Sequence, residues 1–160
     1  MRGLSKVEVA YFDSPKQYVF AEHQGAYEEI RTAFKRIMVS CEENALDSEP
    51  LTLASIWLDD PEDTPTDELH SRACVFVDSV EDLPRQVQTD EIPIGKYAKM
   101  VYQGPYSGLA KAWEFFYGVW LPHSGERSIG PGPGFQVYRT RPRFVPDDEL
   151  ETELYIPLKP

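Results

Sequence analysis

Apolar residues recur along this chain with two periods: two over short stretches, and three to four over two longer ones. The short stretches are strand candidates over 7–12, 17–23, 51–58 and 72–77 in the first half, and over 86–92, 96–103, 135–139 and 152–158 in the second. Between the middle strands of each half the spacing becomes helical. Over 26–44, Tyr27, Ile30, Phe34, Ile37, Met38 and Cys41 fall on one face, and over 106–121 Leu109, Trp113, Phe116, Tyr117 and Trp120 do the same. Gly25 and Gly104 precede the two helices, where a residue lacking Cβ can turn the backbone from strand into helix.

The two halves also share residues. Tyr18, Gln24, Gly25, Tyr27 and Ala33 recur 79 positions later as Tyr97, Gln103, Gly104, Tyr106 and Ala112. Pro61, Pro65, Asp67, Glu68 and Leu69 recur 81 positions later as Pro142, Pro146, Asp148, Glu149 and Leu150. That period is too long for a solenoid unit and reads as a duplicated half-domain. The expected domain spans 1–160, with repeats over roughly 5–78 and 84–160. Two such copies are expected to pair about a pseudo-twofold axis, with function sought in the cleft where they meet.

Strand alternation selects the side chains facing that cleft. In the last strand Thr152, Leu154, Ile156 and Leu158 form a helix-packing face, and Glu153, Tyr155 and Pro157 form the other. In the first repeat Ala73, Val75 and Val77 oppose Arg72, Cys74 and Phe76. A carboxylate in an apolar strand is costly unless paired or liganded. Glu153 is therefore either a pocket anchor or a residue on a solvent-facing sheet. As an anchor it would have Tyr155, Tyr138, Trp57 and Tyr102 as stacking surface, Trp120 at the cleft rim, and further rings from Tyr18 and Tyr97. Arg72 would either approach Glu153 across the cleft or point to solvent.

Composition narrows the function classes. A net charge of -11 and a sequence pI near 4.7 disfavour direct nucleic-acid binding, which needs clustered Lys and Arg. No stretch reaches the ~18 apolar residues of a membrane span. His23, His70 and His123 lack ligand spacing, so neither metal nor cofactor is expected. Cys41 and Cys74 form no CxxC pair, which fits a reducing, cytoplasmic setting, and Cys74 reads better as a small strand residue than as a nucleophile. The acidic turn over 59–67 could dock a basic protein partner. The second repeat keeps its prolines while exchanging its acids for Arg139, Arg141 and Arg143, so turn shape is the simpler account. The Pro/Gly loop over 128–134 edges the cleft or merely connects.

Residues 57–77, 97–121 and 135–158 resemble the GyrI-like small-molecule-binding domain, which includes effector-binding domains of multidrug-responsive transcription activators. The resemblance rests most on a D-x-P-x-x-T-P turn at Asp59, a Y-x-G-P-Y segment at Tyr102 and the terminal E-L-Y-I-P at Glu153. It implies an α+β fold of two pseudo-twofold-related βαββ units, whose antiparallel sheet forms a groove with the two helices on the outer side. It also implies an acidic pocket residue at Glu153 with aromatic walls. Members often carry Arg-x-Asp after the turn leucine, whereas His70-Ser71-Arg72 places a base at that position here. The expected function is a stand-alone protein that captures amphipathic, aromatic and toxic small molecules, its oligomeric state left open. The alternatives are a cofactor-free hydrolase of cyclopropane-bearing DNA alkylators, with Glu153 as general acid/base and Tyr155 as proton donor, and a protein-interaction inhibitor of gyrase type.

Overall fold

The computed structural model describes residues 3–47, 50–130 and 134–160. Eight strands carry the fold: β1 (Glu8–Phe12), β2 (Lys16–Gln24), β3 (Leu53–Trp57), β4 (His70–Phe76), β5 (Gln88–Ile92), β6 (Gly95–Gln103), β7 (Gly134–Tyr138) and β8 (Glu151–Leu158). The class is α+β, and the strand pairings with a described register are antiparallel. Helix α1 (Arg31–Glu43) follows a single 3₁₀ turn at Tyr27–Glu29. Helix α2 (Leu109–Phe115) follows a matching turn at Tyr106–Gly108. The chain divides into two compact units.

One unit contains the residues up to Phe12, Gly95–Gly130 and Gln136–Pro160. Its strands run in the order β1-β6-β8-β7. In the register, Tyr97 pairs with Ala10 of β1, Lys99 with Tyr155 and Val101 with Glu153. Alternation then separates two faces. Ala98, Met100, Tyr102, Leu154, Ile156 and Leu158 turn to one side and are covered by Leu109, Ala112 and Phe116 of the helical segment, forming a sealed core. Glu8, Ala10, Phe12, Tyr97, Lys99, Glu153 and Tyr155 lie on the opposite face.

The other unit contains Asp13–Ile94, Gly134 and Phe135. Its strand order is β3-β4-β2-β5. Val19, Ala21, Ala73 and Val75 are buried with Ala33, Ile37 and Cys41 of α1. Tyr18, Phe20, Arg72 and Cys74 occupy the reverse face, as the register Tyr18↔Phe76 and Phe20↔Cys74 requires. The edge strand β5 is largely exposed and acidic, a composition that discourages further strand addition.

Two expectations are corrected. Sequence order assigned the strand over 7–12 to the first repeat and that over 86–92 to the second. Backbone pairing instead joins β1 to β6 and β5 to β2, so each unit's edge strand comes from the far side of the repeat boundary. The second helix is also not regular. The N–H of Leu121 reaches back five residues to the carbonyl of Phe116, which widens residues Phe116–Trp120 into a π turn before a short helix α3 (Leu121–Ser124). Pro122 gives a physical reason: it has no N–H for the Gly118 carbonyl, so the regular ladder is already broken there. The loop over 128–134, read as a cleft edge or a connector, lies partly outside the described residues.

Candidate functional site

Strand β8 presents Glu153 and Tyr155 on the face away from the helix, as alternation predicts. Glu153 is neither solvent-facing nor unpaired: its side chain is 15% exposed, and both of its oxygens are engaged. The Tyr155 hydroxyl donates to Oε1 at 2.6 Å, and Arg139 Nε donates to Oε2 at 2.6 Å. Lys99 Nζ stands 3.8 Å from Oε2, an ion pair too long for a hydrogen bond. Arg139 extends its fork to Glu151, with Nη1 at 3.1 Å from Oε1. Three rings pack beside these groups, Tyr97 and Tyr155 buried and Phe12 part-exposed. Phe12 stacks on Tyr97 at 4.6 Å between centroids and meets Tyr155 at 5.7 Å, while Lys99 Nζ lies 5.9 Å from the centre of the Tyr155 ring.

Burial alone would push the Glu153 carboxyl up, but the hydrogen bonds from Tyr155 and Arg139 and the charges of Lys99 and Arg139 more than offset it, and the group is held below its usual range. The Tyr155 phenol is driven up, first by burial and then by its bond to that carboxylate. Burial therefore does not raise Glu153 toward neutrality, as a general-acid role would need. A carboxyl whose folded value is depressed contributes stability above its unfolded value and loses it as pH falls through the folded one, because the unfolded chain takes up the proton first. Glu153→Gln should accordingly cost about 1–3 kcal/mol at neutral pH. The gap to the parent protein should close as pH drops below roughly 4.3, the unfolded glutamate value. Urea unfolding of both proteins along a pH series reads it, and a gap that stays constant into acid would mean the charge of Glu153 is not what stabilises the fold.

The other residues anticipated from the sequence have partners of their own. Tyr102 belongs to the helix-side core, where its hydroxyl donates to the Pro105 carbonyl at 2.9 Å. It differs in strand parity from Glu153's neighbours, so it shares no face with them. Tyr138 sits edge-on to Tyr106 at 5.5 Å and accepts from the Gln136 amide, which in turn accepts from the Trp113 indole. That chain ties Tyr138 to α2. Trp120 packs on Phe116 at 5.5 Å, again on the helix side. Trp57, in the other unit, is buried against Tyr27 at 4.5 Å. Arg72 finds its partners within its own unit: Nη1 donates to Asp90 at 2.8 Å and to the Tyr18 hydroxyl at 2.9 Å, and the guanidinium lies 4.2 Å over the Phe20 ring. Its hydrogen bond holds Asp90 below the usual carboxylate range. Cys74 is fully buried and its thiol is pushed far up by desolvation, which removes it as a thiolate nucleophile. Among the described residues no group of three or more His, Cys, Asp or Glu is arranged to hold a metal, and no helix is long and apolar enough to cross a membrane.

Lys99, Arg139, Phe12 and Tyr97 complete the cluster. Lys99 and Phe12 were not singled out from the sequence, and Arg139 was read only as part of a turn. The turn at Asp59 proves to be architectural. Asp59 accepts from the backbone N–H of His70 at 2.7 Å and from its ring at 3.0 Å, while its carbonyl receives the Tyr27 hydroxyl, which clamps the turn to β4 and the helix entry.

This arrangement, a sheet face with a tethered acid and an aromatic floor behind which a helix seals the core, can be compared with known proteins. Residues 6–159 match the GyrI-like small molecule binding domain. The chain belongs to that family. A DNA gyrase inhibitor from Escherichia coli (strain K12) is 26% identical to this GyrI-like protein over 134 residues, or 82% of each chain. The EcmrR C-terminal domain superposes with a TM-score of 0.72 at 13% identity, covering 96% of this chain and 97% of that one. In the EcmrR-DNA complex the match spans 59% of the EcmrR chain. SAV2435, solved bound to tetraphenylphosphonium, superposes with a TM-score of 0.59 at 9% identity, covering 97% and 94% of the two chains. At these identities the solved structures speak for the fold alone.

Proposed function

We propose that this GyrI-like protein captures amphipathic aromatic compounds on the sheet face that carries Glu153 and Tyr155. The carrying observation is the packed ring cluster of Tyr97 and Tyr155, both buried, with part-exposed Phe12 at its edge, beside a shielded carboxylate tethered to Arg139. Rings offer large stacking area at little cost in side-chain entropy, and a few fixed polar groups set orientation. The ligand seen in SAV2435 is likewise built of phenyl rings.

A panel of aromatic small molecules screened by thermal shift tests the reading. A site filled at 100 times Kd should add about 2.7 kcal/mol of stability. Tyr155→Ala should weaken any hit at least about ten-fold, while Trp57→Phe, on a different ring cluster, should leave it within about two-fold. No stabilisation across the panel, or equal loss in both variants, would remove the reading.

A hydrolytic role would use the same two residues, yet it needs a group that gives up or takes a proton near neutrality. Here the hydrogen bonds from Tyr155 and Arg139 hold the carboxyl below its usual range, while burial, and then the bond to Glu153, drives the phenol up, so both shifts lead away from neutrality. Capture therefore accounts better for the geometry. A cyclopropane-bearing alkylator incubated with the protein should be protected in proportion to protein added, without catalytic loss.

A further inference from the structure

The inference concerns which aromatic molecules this face accepts, and it rests on the capture reading above. A carboxylate among aromatic rings ordinarily suits a cationic ligand. In this chain that role is already taken. Arg139 reaches Oε2 of Glu153 at 2.6 Å and Oε1 of Glu151 at 3.1 Å, and Tyr155 occupies the other Glu153 oxygen. An incoming cation would gain its charge-assisted bond only by expelling a guanidinium that holds the same bond, so one cation replaces another with little net advantage. The second unit repeats the device, since Asp90 is held by Arg72 at 2.8 Å beside Tyr18 and Phe20.

Lys99 differs. Its ammonium lies beside the Tyr155 ring, 3.8 Å from the nearer oxygen of Glu153, so its donors are not spent on that carboxylate. With its side chain 23% exposed, it can donate to an acceptor brought to the edge of the ring cluster. Glu8, paired opposite Lys99 in the register, joins Glu151 and Glu153 on this face, so three acids stand against the two bases Lys99 and Arg139. An anionic head would meet net repulsion. The favoured head is uncharged.

We propose that Arg139 is a built-in competitor that closes the site to cationic aromatics, and that the site takes uncharged aromatic molecules whose hydrogen-bond-accepting head, a carbonyl or phosphoryl oxygen, is met by Lys99. Arg139 is thus a specificity-determining residue that acts through Glu153.

Two phenyl-bearing probes of similar size separate the cases: tetraphenylphosphonium, a cation, and triphenylphosphine oxide, an uncharged acceptor. Calorimetric titration of the parent protein should show the oxide bound at least about ten-fold more tightly. Arg139→Gln should tighten phosphonium binding by about ten-fold or more while leaving the oxide within about three-fold. Adding Glu153→Gln to that variant should cancel the gain. Arg139→Lys, which keeps a cation but loses the fork, should fall between the two and serves if Arg139→Gln does not fold. A parent protein that prefers phosphonium, or an Arg139→Gln variant with unchanged phosphonium affinity, would overturn the inference and leave capture standing. Binding of neither probe by parent or variants would overturn capture and the inference together.

Discussion

Replacing Phe116 by alanine is expected to cost about 3–5 kcal/mol, a large share of the stability of a domain of this size. Phe116 has no exposed surface and stands where α2 gives way to the π turn. Its ring is wedged between Trp113 at 6.0 Å and Trp120 at 5.5 Å, over the Met100, Leu154 and Ile156 layer of the sheet. The surrounding core comes from three separate elements, so it cannot close over a missing ring without moving the helix. Urea unfolding followed by tryptophan emission reads both the stability loss and the altered setting of the two indoles. Phe116→Leu, which keeps most of the volume, should cost less than half as much. A loss under about 1 kcal/mol for the alanine variant would mean the helix settles onto the sheet and the layer is loosely packed.

Both helices and every strand were placed to within a few residues; for the helices and the inner strands, a face buried on one side imposes its period on the sequence. The same logic put Glu153 and Tyr155 on the face opposite Leu154 and Ile156, where they are found. The aromatic walls were not legible in the same way, because rings were gathered by abundance and not by parity. Tyr97 and Tyr102 lie five positions apart in one strand and must face opposite sides, so counting would have removed Tyr102 from the site. Arg139 had a detectable signal too. The turn between β7 and β8 brings Arg139 beside Glu151, with its N–H bonded to the Glu151 carbonyl at 3.0 Å, and the alternate residue on that strand is Glu153. Read as a hairpin register, the loss of acids in the second repeat would have shown a base set against an acid. The transfer of β1 and β5 between units had no such signal. Edge strands are short and weakly patterned, and which neighbour they join depends on packing far away in sequence.

Gly108→Ala should destabilise the protein by about 2–4 kcal/mol, although its backbone, at φ -90°, suits any residue. The cost is steric. A Cβ at Gly108 would lie 2.0 Å from the Tyr102 hydroxyl oxygen and 2.9 Å from the ring carbon that bears it. A Cβ at Gly104 would come within 2.6 Å of the same hydroxyl, so the phenol fills space that both glycines leave. It must leave the core pocket and give up its bond to the Pro105 carbonyl. The Y-x-G-P-Y segment is on this account a packing device that seats a tyrosine between two glycines at the entrance to α2. A double-mutant cycle isolates the contact. Tyr102→Phe removes the oxygen that clashes, so Gly108→Ala made in that background should cost at least about 1 kcal/mol less than in the parent. Gly118→Ala is the opposing control, since nothing lies within 4 Å of its missing Cβ and a helical alanine should add about 0.5–1 kcal/mol. Chemical denaturation of the four proteins of the cycle decides it: strict additivity of Gly108→Ala and Tyr102→Phe would show that the tyrosine does not need the space the glycine leaves.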